Sequence, residues 1–147
     1  MTFKDVKHSV LQLFKDYADY IGIPENRITI DTVNINIAPS IALHFRVVES
    51  NEISEDGISG WLACLVAYIG TPRRSLSEAQ DDAMEVIARI NRLLLERGDD
   101  LIMKWTNVVE PVAFDTAEDG TPILKPERPI TGTQFLFKYN PIGEWNE

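Results

Sequence analysis

Residues 61–69 read Trp-Leu-Ala-Cys-Leu-Val-Ala-Tyr-Ile and form the longest apolar run in the chain. Nine residues is strand length, well short of the roughly 18 that would suggest a membrane span. Odd and even positions are both apolar, as expected of a central strand covered on each face. After it, Thr71-Pro72-Arg73-Arg74 leads into a helix expected over residues 77–97, with Ser77 and Gln80 spaced as a capping box. Ala83, Val86, Ile87, Ile90, Leu93 and Leu94 fall on one face of that helix. Acids crowd its first half and arginines its end, which complements the helix dipole; Glu85 and Arg89 are spaced to pair. Gly98 should end it.

Before the central strand, Ile41, Leu43, Phe45 and Val47 alternate, with His44 and Arg46 on the other face. Ile28, Ile30, Val33, Ile35 and Ile37 also alternate, with a slip near Asp31–Thr32 that suggests a bulge or break. Ala38-Pro39-Ser40 is short enough to be a hairpin turn between these runs. At the start, Thr2 and Asp5 have capping-box spacing ahead of a helical stripe of Phe3, Val6, Val10, Leu13, Phe14 and Tyr17. Gly22 and Pro24 should stop that helix, expected over residues 3–20. Residues 101–109 and 131–139 read as two further strands. The expected fold is α+β, in the order α-β-β-β-α-β-β, with a largely antiparallel sheet flanked by two main helices. A chain of 147 residues suits one domain, with extended loops at 49–60 and 115–130.

Composition narrows the function. The net charge of −9 argues against a large nucleic-acid footprint, which needs clustered Lys and Arg. The N-terminus lacks the basic start and apolar block of a signal peptide, so the chain is expected to be made in the cytoplasm. Cys64 is the only cysteine and lies in the most apolar stretch, where it should act as a small hydrophobe. His8 and His44 are the only histidines and sit on different elements, which gives no support to a metal centre. No nucleophile elbow or phosphate-binding glycine loop occurs. No catalytic residue, cofactor or metal is expected.

What remains are two excursions. Glu49, Glu52, Glu55 and Asp56 make residues 49–59 acidic, without a base, and without calcium-loop spacing. Residues 114–137 begin and end like strands but carry Gly120, Pro122, Pro126 and Pro129 between. Loops that long are usually functional or disordered. This one holds Ile123, Leu124 and Ile130 among its prolines, with Lys125 and Arg128, and has the character of a semi-rigid arm. Such an arm either packs on its own sheet or docks on another chain. Asp115, Glu118 and Asp119 open it. Arg73 and Arg74 either meet an acidic neighbour or are solvated. Trp145, beyond the last strand, either folds back or meets a partner.

The element order resembles that of the tail terminator, or tail-completion, proteins of long-tailed bacteriophages. The likeness rests on an N-terminal helix, strands with a polar excursion before W-L-A-C-L-V-A-Y-I, the helix 77–97, and two closing strands ending T-G-T-Q-F-L-F-K-Y. It is a likeness of architecture and size across nearly the whole chain, without a diagnostic motif. It implies a virion protein of the head–tail junction, commonly a hexameric ring, that caps the tail tube and receives the neck proteins. It implies self-association, contacts with tube and neck or connector proteins, passage of DNA without specific binding, no membrane and no active site. Pro122, Ile123, Leu124, Lys125, Pro126, Arg128, Ile130, Arg73, Arg74 and Trp145 are then candidate interface residues. Glu49, Glu52, Glu55, Asp56, Asp115, Glu118 and Asp119 are candidates to face the bore or the tube. Two other readings compete: an acidic DNA mimic that inhibits a nucleic-acid enzyme, and a small ligand-binding or enzymatic domain with its pocket between the sheet and the second long helix.

Overall fold

The fold is taken from a computed structural model, which describes residues 1–30, 37–54, 57–113, 115–116, 122–123 and 130–142. The first helix, α1 (Phe3–Asp16), begins at the expected capping box: Asp5 N donates to Thr2 Oγ1 at 3.2 Å, and Thr2 N donates to Asp5 Oδ2 at 3.0 Å. The hydrogen bonds from the Thr2 backbone and side chain hold the Asp5 carboxyl below the usual aspartate range. Val6, Val10 and Phe14 are fully buried, while Phe3, Leu13 and Tyr17 pack partly against the same core. Burying a side chain such as Phe14 contributes about 1.5–3 kcal/mol.

The expected single helix over 3–20 is in fact two. The chain breaks at Tyr17 and resumes as a short α2 (Ala18–Ile21), which turns Ala18 and Ile21 into the core. Gly22 ends α2 in the left-handed region, at φ +89°, where a side chain would be strained. A single 3₁₀ turn, Glu25–Arg27, then delivers β1 (Ile28–Ile30). The long strands β2 (Ser40–Ser54) and β3 (Gly57–Ile69) follow, then α3 (Leu76–Arg97). The chain closes through β4 (Met103–Ala113), the two-residue strands β5 (Asp115–Thr116) and β6 (Pro122–Ile123), and β7 (Ile130–Tyr139).

The protein is α+β, and its main sheet is mixed, ordered β1-β2-β3-β7-β4. The expected largely antiparallel arrangement fails at the edge. Ile28, Thr29 and Ile30 pair with Ile41, Ala42 and Leu43 in parallel. Parallel neighbours require the chain to cross back to the starting end before re-entering the sheet. Ile37 is described and lies outside the strands, 41% exposed; Val33, Ile35 and the suggested bulge lie outside the described residues.

β3 is the central strand. Leu62, Cys64, Val66 and Tyr68 join the core beneath the helices, with Ile41, Leu43 and Phe45 of β2 and Phe135, Phe137 and Tyr139 of β7. Trp61, Ala63, Ala67 and Ile69, on the opposite face, are also buried, as the unbroken apolar run implied. All six residues expected on the inner face of α3 are buried. Its cap differs from expectation: Ser75, not Ser77, accepts from Glu78 N at 3.2 Å. Gly98 caps its end, at a position where a Cβ would lie 2.5 Å from Leu94 O.

Candidate functional site

The β2–β3 ladder is longer than the sheet that holds it. β7 pairs with β3 only from Gly60 to Ile69, and β1 pairs with β2 only from Ile41 to Leu43. Beyond these limits β2 and β3 still pair, through Glu52 with Ser59, Ile53 with Ile58, and Ser54 with Gly57. Among the described residues this outer part is a two-stranded arm whose only sheet neighbour is itself. Register shifts between Val47 and Glu49 and between Glu49 and Glu52 mark where it leaves the sheet; such bulges bend a strand and increase its twist. The expected polar loop at 49–60 is thus mostly strand. Glu49 and Glu52 take register positions opposite Trp61 and Ser59; Glu55 and Asp56 lie outside the described residues. At the root of the arm, Val47 and Val48 are both about half exposed, at 49% and 45%. The Ser59 hydroxyl is buried without a hydrogen-bond partner among the described residues.

The proline-bearing excursion leaves from the other end of the sheet. Ala113 pairs with Ile130 there, beside the end where Ser40 pairs with Ile69 and Ile69 with Ile130. Within the excursion, Asp115 pairs with Ile123 and Thr116 with Pro122, a short antiparallel ladder separate from the main sheet. This places the backbone of Asp115, Pro122, Ile123 and Ile130. Glu118, Asp119, Leu124, Lys125, Pro126, Arg128 and Trp145 lie outside the described residues. The two excursions therefore start at opposite ends of one sheet.

Arg73 and Arg74 stand before α3 and behave differently. Arg73 clasps Asp82 of its own chain, with Nε and Nη2 donating to the two carboxylate oxygens at 2.6 and 3.2 Å. That pairing meets the "acidic neighbour" expectation within one molecule and occupies the fork a partner would use. Arg74 donates its backbone N–H to Glu78 Oε2 at 3.3 Å, and its side chain is exposed. The expected Glu85–Arg89 pair forms at 2.7 Å, and Arg89 also reaches the carbonyl of Tyr20, tying α3 to α2.

Among the described residues the chemistry-bearing side chains do not converge. Burial pushes the Cys64 thiol up, away from the reactive thiolate. Burial also raises Tyr68, helped by the negative charge of Asp82. His8 is exposed on α1 and His44 is exposed on β2. Among the described residues no group of three or more metal-binding side chains gathers, and no helix is long and apolar enough to cross a membrane.

A cavity opens beside β1. It measures about 580 Å³ and lies against β1, lined by Asn26, Arg27, Thr29, Ile30, Ile37, Ser40 and Ile41. Its isoleucines make apolar walls. Arg27 is held by an Nη1–H bond to the carbonyl of Ala38 at 3.0 Å, and Ser40 Oγ donates to Ile37 O at 2.7 Å. A smaller hollow of about 260 Å³ lies between α1 and the turn after α3, lined by residues including Ser9, Asp16, Arg97 and Asp100. The sequence reading missed Arg27. An N-R-I-T-I segment carries no motif, and Ser40 and Ile41 join the cavity lining from β2, which pairs with β1. No protein-family model matches the chain, and no curated protein matches it closely enough to establish a relationship.

Proposed function

We propose that the protein is a structural subunit of a phage head–tail junction, resembling a tail terminator, that self-associates into a ring capping the tail tube and receiving the neck proteins. The observation that carries this reading is the β2–β3 arm. A two-stranded ribbon alone is marginally stable in water, and unpaired strand edges invite pairing with another chain. An arm that runs past its own sheet gains cover when a neighbour supplies it. The second excursion, leaving the opposite end, suits contacts in the other direction, toward the next subunit or the tube. The acids of residues 49–56 and 115–119 would then face the bore or tube, and a ring of chains at −9 each would repel DNA passing through it.

The test is mass in solution. Light scattering on the purified protein, alone and with tail tube protein, is expected to give a multi-subunit species with a ring outline in electron micrographs. A single-chain mass under both conditions would refute the assembly role.

A further inference from the structure

We infer that the sheet face opposite the helices receives the acidic first half of α3 from a second copy of this chain, so that subunits join head to tail. The inference rests on the self-association proposed above and names a contact for it. Leu62, Cys64 and Val66 of β3 share a core with Phe14 of α1 and Ile90 and Leu94 of α3, so both long helices lie on one face of the sheet. Register puts three rows on the opposite face. Trp61 stands beside Lys138; Arg46, Ala63, Leu136 and Lys104 follow in a line across four strands; His44, Leu65 and Gln134 come next. His44 and Arg46 are exposed, Leu65, Leu136 and Lys138 are partly buried, and Ala63 is buried between Arg46 and Leu136. The middle of this face thus joins cationic to aliphatic side chains. Two acids, Glu49 opposite Trp61 and Glu110 opposite Gly132, take register positions on either side of that middle.

A cationic face on a chain of net charge −9 suits an acidic occupant. The first half of α3 is one. Glu78, Asp81 and Glu85 recur at helical spacing and are exposed, and Met84 beside them is 51% exposed. Asp82 takes no part, because Arg73 clasps it. Glu85 pairs with Arg89 at the surface and, as a carboxylate, accepts further bonds. The spacings agree. Glu78 and Glu85 lie about 10 Å apart along the helix. Arg46 and Lys138, two strands and two residues apart in the ladder, lie about 12 Å apart. Met84 then meets Leu65 and Leu136.

α3 cannot dock on this face of its own sheet, because Ala83, Ile90 and Leu94 hold it on the other. The contact is therefore between copies and joins two different surfaces. Such heterologous contacts produce rings when the rotation closes and filaments when it does not. A ring is the form the proposed function needs.

The experiment is a charge swap, read by size-exclusion chromatography with light scattering over a dilution series of the full-length protein. Arg46→Glu reverses the sheet face and Asp81→Arg reverses the helix face. His44→Glu, one row from Arg46, is a second variant of the sheet face. All three positions are exposed, so melting by circular dichroism should keep the wild-type midpoint. Each variant is expected to raise the concentration of half-assembly by about tenfold or more, since like charges then meet. High salt should weaken wild-type assembly in the same direction. The double variant carrying Arg46→Glu and Asp81→Arg restores opposite charges and should recover most of the loss.

If the wild type assembles and neither Arg46→Glu nor Asp81→Arg shifts it, the contact is overturned while the assembly role stands. Two weakened single variants without recovery in the double variant overturn it as well, since the two surfaces then meet different partners. So does a single-stranded DNA oligonucleotide that binds the wild type and not Arg46→Glu, with no change in subunit number. Open filaments that obey the charge swap keep the contact and refute the ring. A wild type that stays single-chain, alone and with tube protein, removes the assembly role and this contact together.

Discussion

The β2–β3 hairpin has two halves that share one ladder and have different surroundings. In the inner half, Leu43, Phe45, Leu62, Cys64 and Val66 pack beneath the helices, and β1 and β7 flank the pair. In the outer half, the pairs from Glu52–Ser59 to Ser54–Gly57 have no third strand among the described residues. Backbone hydrogen bonding is the same kind of interaction in both. The neighbouring strands are what differ: β1 and β7 flank the inner half, and a two-stranded ribbon alone is marginally stable in water. The inner half lies within the sheet; the outer half extends past it among the described residues.

Three substitutions probe that division, beginning with the largest effect. Leu43→Ala, in the inner half, removes a fully buried side chain. It should destabilise the isolated chain by about 2–5 kcal/mol in urea unfolding. A loss below about 1 kcal/mol would show that the inner half is not packed as described. Ser59→Ala, at the root of the outer half, deletes a buried hydroxyl that lacks a partner among the described residues. It should raise the unfolding midpoint, by up to about 1 kcal/mol of added stability. A clear destabilisation would mean that the hydroxyl is bonded in solution. Glu52→Ala, within the arm, should change the stability of the isolated chain by less than about 0.5 kcal/mol. A larger change would place the arm within the cooperative fold and end the distinction between the halves.

Much of the frame was legible from local pattern. The stripe of α1, the inner face of α3, the Thr2–Asp5 capping box and the doubly buried strand 61–69 all depend on residues close in the chain, and each forms as read. The errors share a cause. One helix became two at Tyr17, where the core takes Ala18 and Ile21 at a different angle than a continuous helix would offer. The helix cap moved from Ser77 to Ser75, because two serines two apart both satisfy the local rule and only the chain's path selects one. The polar segment 49–59 reads as a loop because its composition is that of a loop; pairing across the hairpin overrides it. Of the candidate site residues, Arg73 is engaged by Asp82 of its own chain, a partner nine positions away and beyond any local spacing rule.

The amino-acid sequence alone determined which segments are helix, which strand is central and which side chains form the core, since 3.6- and 2-residue periodicities are properties of the chain itself. Tertiary structure decided the direction of β1, the reach of the arm beyond the sheet and the cavity that holds Arg27. Alternation records which face a residue takes, but it is the same for parallel and antiparallel neighbours. Strand direction, and every surface that depends on it, is set only when distant segments meet.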